Sequence, residues 1–293
     1  MVVIACHNDG ATLRQALDSV AAQEPCETVI VDDGSDEPET LAVLDGLENE
    51  GVRVIRQVRS GPGAARMRGV EESTAPYVFA LDSDDLLPAG ALVVLADALD
   101  ANPAAAIAWG RVEPFGAASG PRPVPESLDP WLITYVDEFI GTGLIRREEL
   151  LGVGGWRRGG SFENWDLLMA LCERGARGVG VDRPMLLYRV RPNSRLREME
   201  AAFEQIYEEL RQRHEPLFAR RRQAWRRSPA PLRSRLLFPA IDRLPVLSAH
   251  TRHRIAYVVH RPSALGRGIR RWLAGGPASS GGDAMAWGSL SGI

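Results

Sequence analysis

Tyr77-Val78-Phe79-Ala80-Leu81-Asp82-Ser83-Asp84-Asp85 is an apolar run that stops at three carboxylates within four positions. A short apolar run bounded by polar residues reads as a buried strand. Thr28-Val29-Ile30-Val31 stops in the same way, at Asp32-Asp33-Gly34-Ser35. Upstream, Val2–Ala5 is a strand. Residues 11–22 then place Leu13, Ala16, Leu17, Val20 and Ala21 on one helical face. Between the two acidic runs, 38–49 carries Leu41, Leu44 and Leu47 at helical spacing, and Val52–Val58 reads as a third strand. Ser60-Gly61-Pro62-Gly63 is a turn that opens a helix containing Arg66 and Arg68. A helix over Pro88–Ala101 and a strand over Ala105–Trp109 follow. Strands alternating with helices of this length predict βαβ units and a mainly parallel sheet. In such sheets the ligand crevice lies beyond the carboxyl ends of the strands, where both acidic clusters fall.

Farther out, Gly116–Pro130 reads as a surface loop and Phe139–Ile145 as a strand. Gly152–Gly160 is a glycine-rich loop, and a helix runs over 163–174. Val179–Val190 holds one or two short strands, and 198–224 reads as one long charged helix. Beyond it, Pro229, Pro231, Pro239 and Pro245 punctuate short helices, and a Gly/Ser/Ala-rich tail begins at Gly275. The expected organisation is a catalytic domain over 1–215, a basic helical region over 216–274 and a disordered tail over 275–293.

The 293 residues are 45% hydrophobic and 25% charged, which excludes a disordered or collagen-like chain. No run has the length of a transmembrane helix, and the start shows no signal-peptide pattern. Cys6, Cys26 and Cys172 lack metal-ligand spacing, so a reducing cytoplasm is expected, with peripheral contact at the inner face of the membrane expected from the basic C-terminal segment. The net charge of −3 hides an asymmetry: residues 1–210 sum to −16, and residues 211–273 sum to +14. All 35 basic residues are arginine.

Asp82-Ser83-Asp84-Asp85 carries the sharpest chemistry. Carboxylates crowded in one loop repel each other, and a divalent cation relieves that repulsion. Mg²⁺ typically takes one or two protein carboxylates and completes its shell with phosphate oxygens and water. A solvated turn or helix cap has the same composition. Asp32-Asp33 can accept hydrogen bonds from a nucleobase or ribose, or form an Asx turn.

Taken in order, these segments resemble family 2 glycosyltransferases of the GT-A fold. The resemblance rests on Val3-Ile4-Ala5-Cys6-His7-Asn8 with the Thr12–Gln23 segment, and on Val29-Ile30-Val31-Asp32-Asp33-Gly34-Ser35. It continues through Gly61-x-Gly63-x-Ala65-Arg66 and Phe79-Ala80-Leu81-Asp82-Ser83-Asp84-Asp85-x-x-Pro88. Gly154-Gly155-Trp156 and Phe162-Glu163-Asn164-Trp165-Asp166-Leu167 complete it, so that it covers roughly 2–190. It implies an α/β, Rossmann-like sheet flanked by helices, here with a basic, mostly helical C-terminal extension. It also implies an inverting transferase that uses a UDP-, GDP- or dTDP-linked sugar and Mg²⁺ or Mn²⁺. Carried over, Ala5, Cys6, His7 and Asn8 line the nucleoside pocket, Asp33 contacts the base and Arg66 lies near the nucleotide. Asp82 faces the ribose, with Ser83 beside it, and Asp84 holds the metal, with Asp85 able to exchange roles with Asp84.

Two departures stand out. Many relatives have Asp as the presumed base where this chain has Asn164, and an amide takes no proton at neutral pH. Glu163 and Asp166, one helical turn apart, are the replacements. Met67 stands where relatives often have Asn. Trp156 and Trp165 are candidates for acceptor contact, with core packing the alternative for Trp165. Gly61–Arg66 lacks the third glycine of a dinucleotide fingerprint, and Cys6-His7-Asn8-Asp9-Gly10 is not a nucleotidyltransferase loop. The Arg220-Arg221-Arg222 and Arg226-Arg227 groups beside Trp225, and Arg270-Arg271 beside Trp272, read as a solvated helix face or as contact with an anionic membrane. No nucleic-acid partner is expected, because no recognition fold accompanies the charge.

Overall fold

A computed structural model describes residues 1–116, 124–125, 127–137, 143–157, 162–191 and 202–262. The chain divides into two compact units. One takes Met1–Pro114, Gly120–Leu128 and Phe139–Arg189, and the other takes Phe115–Ser119, Asp129–Glu138 and Val190–Ile293. The expected tail over 275–293, the Arg270–Trp272 group and the start of the 139–145 strand lie outside the described residues.

The first unit is an α/β sheet whose strand order is β3-β2-β1-β4-β6-β5-β7. Strands β1 (Val2–Cys6), β2 (Thr28–Asp32), β3 (Val54–Arg56) and β4 (Tyr77–Asp82) are parallel. Helices α1 (Gly10–Ala21), α2 (Pro38–Asn49) and α3 (Pro62–Glu71) make the crossovers. After α4 (Ala91–Asp100), β5 (Ala105–Gly116) pairs antiparallel with β6 (Leu144–Arg146), which itself runs antiparallel to β4. The expected parallel sheet is therefore parallel in its first half and mixed beyond β4. Helices α5 (Arg147–Gly152) and α6 (Glu163–Glu173) follow, and then β7 (Arg177–Val190), one long strand where one or two short ones were expected.

The apolar runs read from sequence form the core. Val2, Ile4, Ile30, Phe79 and Leu81 are buried from the sheet, and Leu13, Ala16, Val20, Leu44, Leu47, Leu95 and Leu99 from the helices. Gly69 of α3 lies so close to Val3 that a Cβ there would collide with the valine methyls, so this glycine lets the helix press onto β1.

The second unit contains α7 (Phe203–Arg213), α8 (Glu215–Ala219), α9 (Arg221–Arg227), α10 (Leu232–Ile241) and α11 (Ala249–His260). The long helix expected over 198–224 is broken instead. Its first residues are not described, and Pro216, which has no N–H for the ladder, starts a new helix after His214. Trp131, Tyr135, Phe238 and Ala256 form the unit's core. Arg221 stacks over the Tyr135 ring at 4.0 Å, bonds Asp242 at 2.9 Å and donates to the Thr134 carbonyl at 2.7 Å.

Candidate active site

The strand registers bring the motif residues to one edge. Ala5 pairs with Asp82, Cys6 with Asp32, and Asp32 with Arg56. From β1 the chain winds through β2 and β3 on one side, then returns to place β4 on the other. The winding reverses between β1 and β4, and open α/β sheets bind ligands at such a switch point. Asp82 and Ala5 stand at that point.

Arg66 gathers three segments there. It projects from α3, is 5% exposed, and its Nη2 lies 2.6 Å from Asp82 Oδ1. Its Nη1 donates to Asn164 Oδ1 at 3.5 Å, and Trp156 Nε1 donates to the same oxygen at 3.0 Å. Both neighbours are donors only, so the chemistry fixes which end of the Asn164 amide faces them. The guanidinium also sits 5.9 Å from the Trp156 ring centroid. Burial works against the Arg66 charge, but Asp82, Glu163 and Asp85 outweigh it and hold its pKa above the usual value.

The acidic tetrad divides by environment. Asp84 is partly exposed, and the Asp82 side chain is 42% exposed despite its ion pair. Ser83 is buried and donates to Asp9 Oδ2 at 3.0 Å. Asp85 is 1% exposed and accepts the Arg189 backbone N–H at 2.8 Å. Burial, then the charges of Asp82 and Asp84, push its pKa well up. Arg189 Nε also donates to the Asp84 carbonyl at 2.7 Å, which fastens the loop to β7. Asp84 and Asp85, interchangeable by sequence, thus differ in environment: Asp84 is partly exposed, and Asp85 is buried and held by the Arg189 N–H.

The residues expected to line a nucleoside pocket are equally engaged. Asp33, expected at the base, accepts from Gln57 Nε2 and the Ser60 N–H at 2.7 Å and from the Gly61 N–H at 2.8 Å. Gly61 has φ +90°, which favours glycine. Asn8 is left-handed at φ 54°. Its Oδ1 accepts from the Asp36 and Glu37 N–H groups at 3.0 and 3.1 Å, and its Nδ2 donates to Asp36 at 2.7 Å. Cys6 is buried, and burial raises its thiol pKa to about 12, so it is a neutral, apolar wall. His7 is partly buried, with no hydrogen-bond partner on Nδ1 among the described residues.

On the far side, α6 begins with the acidic residues expected to act on the acceptor. Glu163 is 9% and Asp166 3% exposed, and both lie in its first turn, where the helix dipole favours negative charge. Asp166 Oδ2 is 3.3 Å from Arg157 Nε. Gly63 packs so closely on the Arg157 carbonyl that a Cβ would run into it, and this brings the start of α3 to the start of α6. Trp156 and Trp165 are each 1% exposed, so neither offers an open ring face for stacking. The Trp156 Nε1–H holds the Asn164 amide. Sequence reasoning passed over Asp9 and Arg189. Neither stands in a motif, and only tertiary contact gives them a place in the site.

Residues 1–155 match the family described as Glycosyl transferase family 2. The chain belongs to that family. By sequence the chain is similar to the succinoglycan biosynthesis protein ExoW of Rhizobium meliloti (strain 1021), 44% identical over 80 residues, 25% of this chain and 25% of ExoW. The chain spans about a quarter of the length of the curated relatives it matches. Among solved structures, S. aureus TarS 1–349 in complex with UDP-GlcNAc superposes with a TM-score of 0.59 at 17% identity, covering 94% of this chain and 91% of that one. The mannosyltransferase PcManGT of Pyrobaculum calidifontis, in complex with GDP-Man and Mn²⁺, gives 0.58 at 16% identity, covering 98% and 81%. These likenesses are of fold.

Proposed function

We propose that this family 2 chain is an inverting, metal-assisted glycosyltransferase that takes its sugar from a nucleoside diphosphate sugar. The supporting observation is the junction of Arg66, Asp82 and Asn164 at the switch point, which ties the nucleotide side of the site to the acceptor side. In this reading Ala5, Cys6, His7 and Asn8 wall the nucleoside pocket. Asp33 keeps the 60–61 loop in place beside the base, and Asp82 faces the ribose.

Asp84 is the residue suited to hold Mg²⁺ or Mn²⁺. Among the described residues no three His, Cys, Asp or Glu side chains group into a closed cage. An ion that takes one or two carboxylates and completes its shell with phosphate oxygens and water suits that donor set. When bound it supplies Lewis-acid stabilisation of the departing diphosphate. Asp85, buried and held by the Arg189 N–H, positions the loop that carries Asp84. Arg66 stays cationic and offsets the carboxylates around it.

Transfer is one in-line displacement. The acceptor oxygen bonds the anomeric carbon as the carbon–oxygen bond to the diphosphate breaks, with inversion. The acceptor's proton goes to a carboxylate. Asn164 cannot take it, and Glu163, directly before Asn164, is put ahead of Asp166, one helical turn on.

A second reading, a sugar-nucleotide-binding protein with little turnover, is favoured by the Asn164 amide held by two donors. One experiment separates them. The full chain with Mn²⁺ is screened by thermal shift against UDP-, GDP- and dTDP-linked sugars, since TarS and PcManGT carry different bases. A ligand that binds the folded state raises its melting point. Any stabilising donor is then tested for release of nucleoside diphosphate with candidate acceptors. Release supports the transferase, stabilisation without release supports the binder, and no stabilisation by any of them rejects both.

A further inference from the structure

We infer that α10 and the turn after it form a docking face for an anionic lipid surface. Ser234 and Phe238 of this helix are fully buried. Leu232 and Leu236, one turn apart on the opposite side, are 68% and 60% exposed, and Leu237 is 46% exposed. The turn continues the row with Leu244 at 47% and Val246 at 87%. Five of the eight large hydrophobic side chains exposed among the described residues thus lie within Leu232–Val246. A surface helix of a soluble unit ordinarily turns a polar face to water.

Charge selects the occupant. Residues 211–273 carry 16 arginines against Glu215 and Asp242. Arg220, Arg222, Arg226, Arg227, Arg233 and Arg243 are exposed. Trp225 of α9 donates to the Arg235 carbonyl of α10 at 2.8 Å, so the arginine-rich helix is fastened to the leucine-bearing one. A second copy of the chain would bring like charge against like charge, and a nucleic acid has no use for a leucine row. An interface with apolar chains beneath anionic headgroups uses both features. No helix among the described residues is long and apolar enough to cross a membrane. This inference is independent of sugar transfer.

The test is co-sedimentation of the full chain with vesicles of equimolar phosphatidylglycerol and phosphatidylcholine, and with phosphatidylcholine alone. The chain is expected on the anionic vesicles, with binding that falls as salt rises because exposed charges are screened. Leu232→Asp with Leu236→Asp should weaken partitioning on the order of 100-fold, as two inserted leucines are lost. Arg226→Gln with Arg227→Gln should weaken it on the order of tenfold and flatten the salt dependence. All four side chains are exposed, so circular dichroism and melting point should stay at wild-type values and serve as the folding control. No binding at low salt, equal binding to both vesicles, or undiminished binding of the leucine variant would each overturn the inference. So would a wild-type dimer, seen by sedimentation equilibrium, that the leucine variant dissociates.

Discussion

Arg66→Met removes one buried cation at nearly constant side-chain length, and its cost follows from the exposure of the three carboxylates it faces. Asp82 forms the direct pair, but its side chain is 42% exposed. Water replaces much of the lost attraction, and that pair accounts for about 1 kcal/mol. Glu163 and Asp85, at 9% and 1% exposure, have no such relief. Losing the countercharge beside them costs about 1–2 kcal/mol more. The total of about 2–3 kcal/mol lowers the melting point by about 3–5 °C for a chain of this size. Arg66→Lys restores the charge but not the fork that reaches Asp82 and Asn164 together, and should recover about half of the loss. Differential scanning calorimetry of the three proteins in one buffer measures this directly. An Arg66→Met melting point equal to wild type would refute the argument that this guanidinium neutralises the acidic strand end, and Lys no better than Met would refute the part assigned to charge.

Asp84→Ala should lower transfer by about 10³-fold or more while the melting point holds, because a metal supplies several kcal/mol of charge stabilisation; full wild-type activity in excess EDTA would contradict it. Glu163→Gln should lower kcat by about 10²–10⁴-fold with donor affinity unchanged, and Asp166→Asn should act mainly on stability; steady-state kinetics beside thermal melts separates the two. Asn164→Asp should raise the rate with an alcohol acceptor, read as nucleoside diphosphate released per minute; no gain would mean that this position does not reach the acceptor proton. His253 is partly buried, and desolvation lowers its pKa from 6.5 to about 4. Its folded value lies below its unfolded one, so its contribution is full above about pH 6.5 and is lost as pH falls from there towards 4, by about 3 kcal/mol in all. His253→Gln should flatten the fall in urea-melt stability between pH 7 and about pH 5, and an unchanged slope would assign the acid sensitivity elsewhere.

How much of this was legible depends on the range of the interaction. Strand ends were readable because an apolar run must stop where carboxylates begin, and Asp32 and Asp82 close β2 and β4. The pairing of Arg66 with Asp82 was not, because it joins a helix to a strand through packing that no local pattern encodes. Arg189 lies near the end of β7 with no motif around it, and its part comes from a backbone N–H, a group every residue but proline has. Trp156 was named for acceptor contact, yet it is buried, because a large apolar ring gains by burial when its N–H finds an acceptor, here Asn164. The long charged helix failed at Pro216, where the pattern of charges continues but the backbone ladder cannot. The continuation of β5 to Gly116 was missed because its second half is less buried and its residues are mixed in character.

The loops around the switch point are each stitched to a neighbour, Asn8 to 36–37, Asp33 to 60–61, Ser83 to Asp9 and Asp85 to Arg189. A rim assembled in this way is already ordered when a guest arrives. Association then forfeits little chain freedom at the pocket wall, and most of the contact energy is expressed as affinity. The calorimetric signature is a heat-capacity change no larger than the buried contact surface requires, without the excess that accompanies folding of a wall around its ligand.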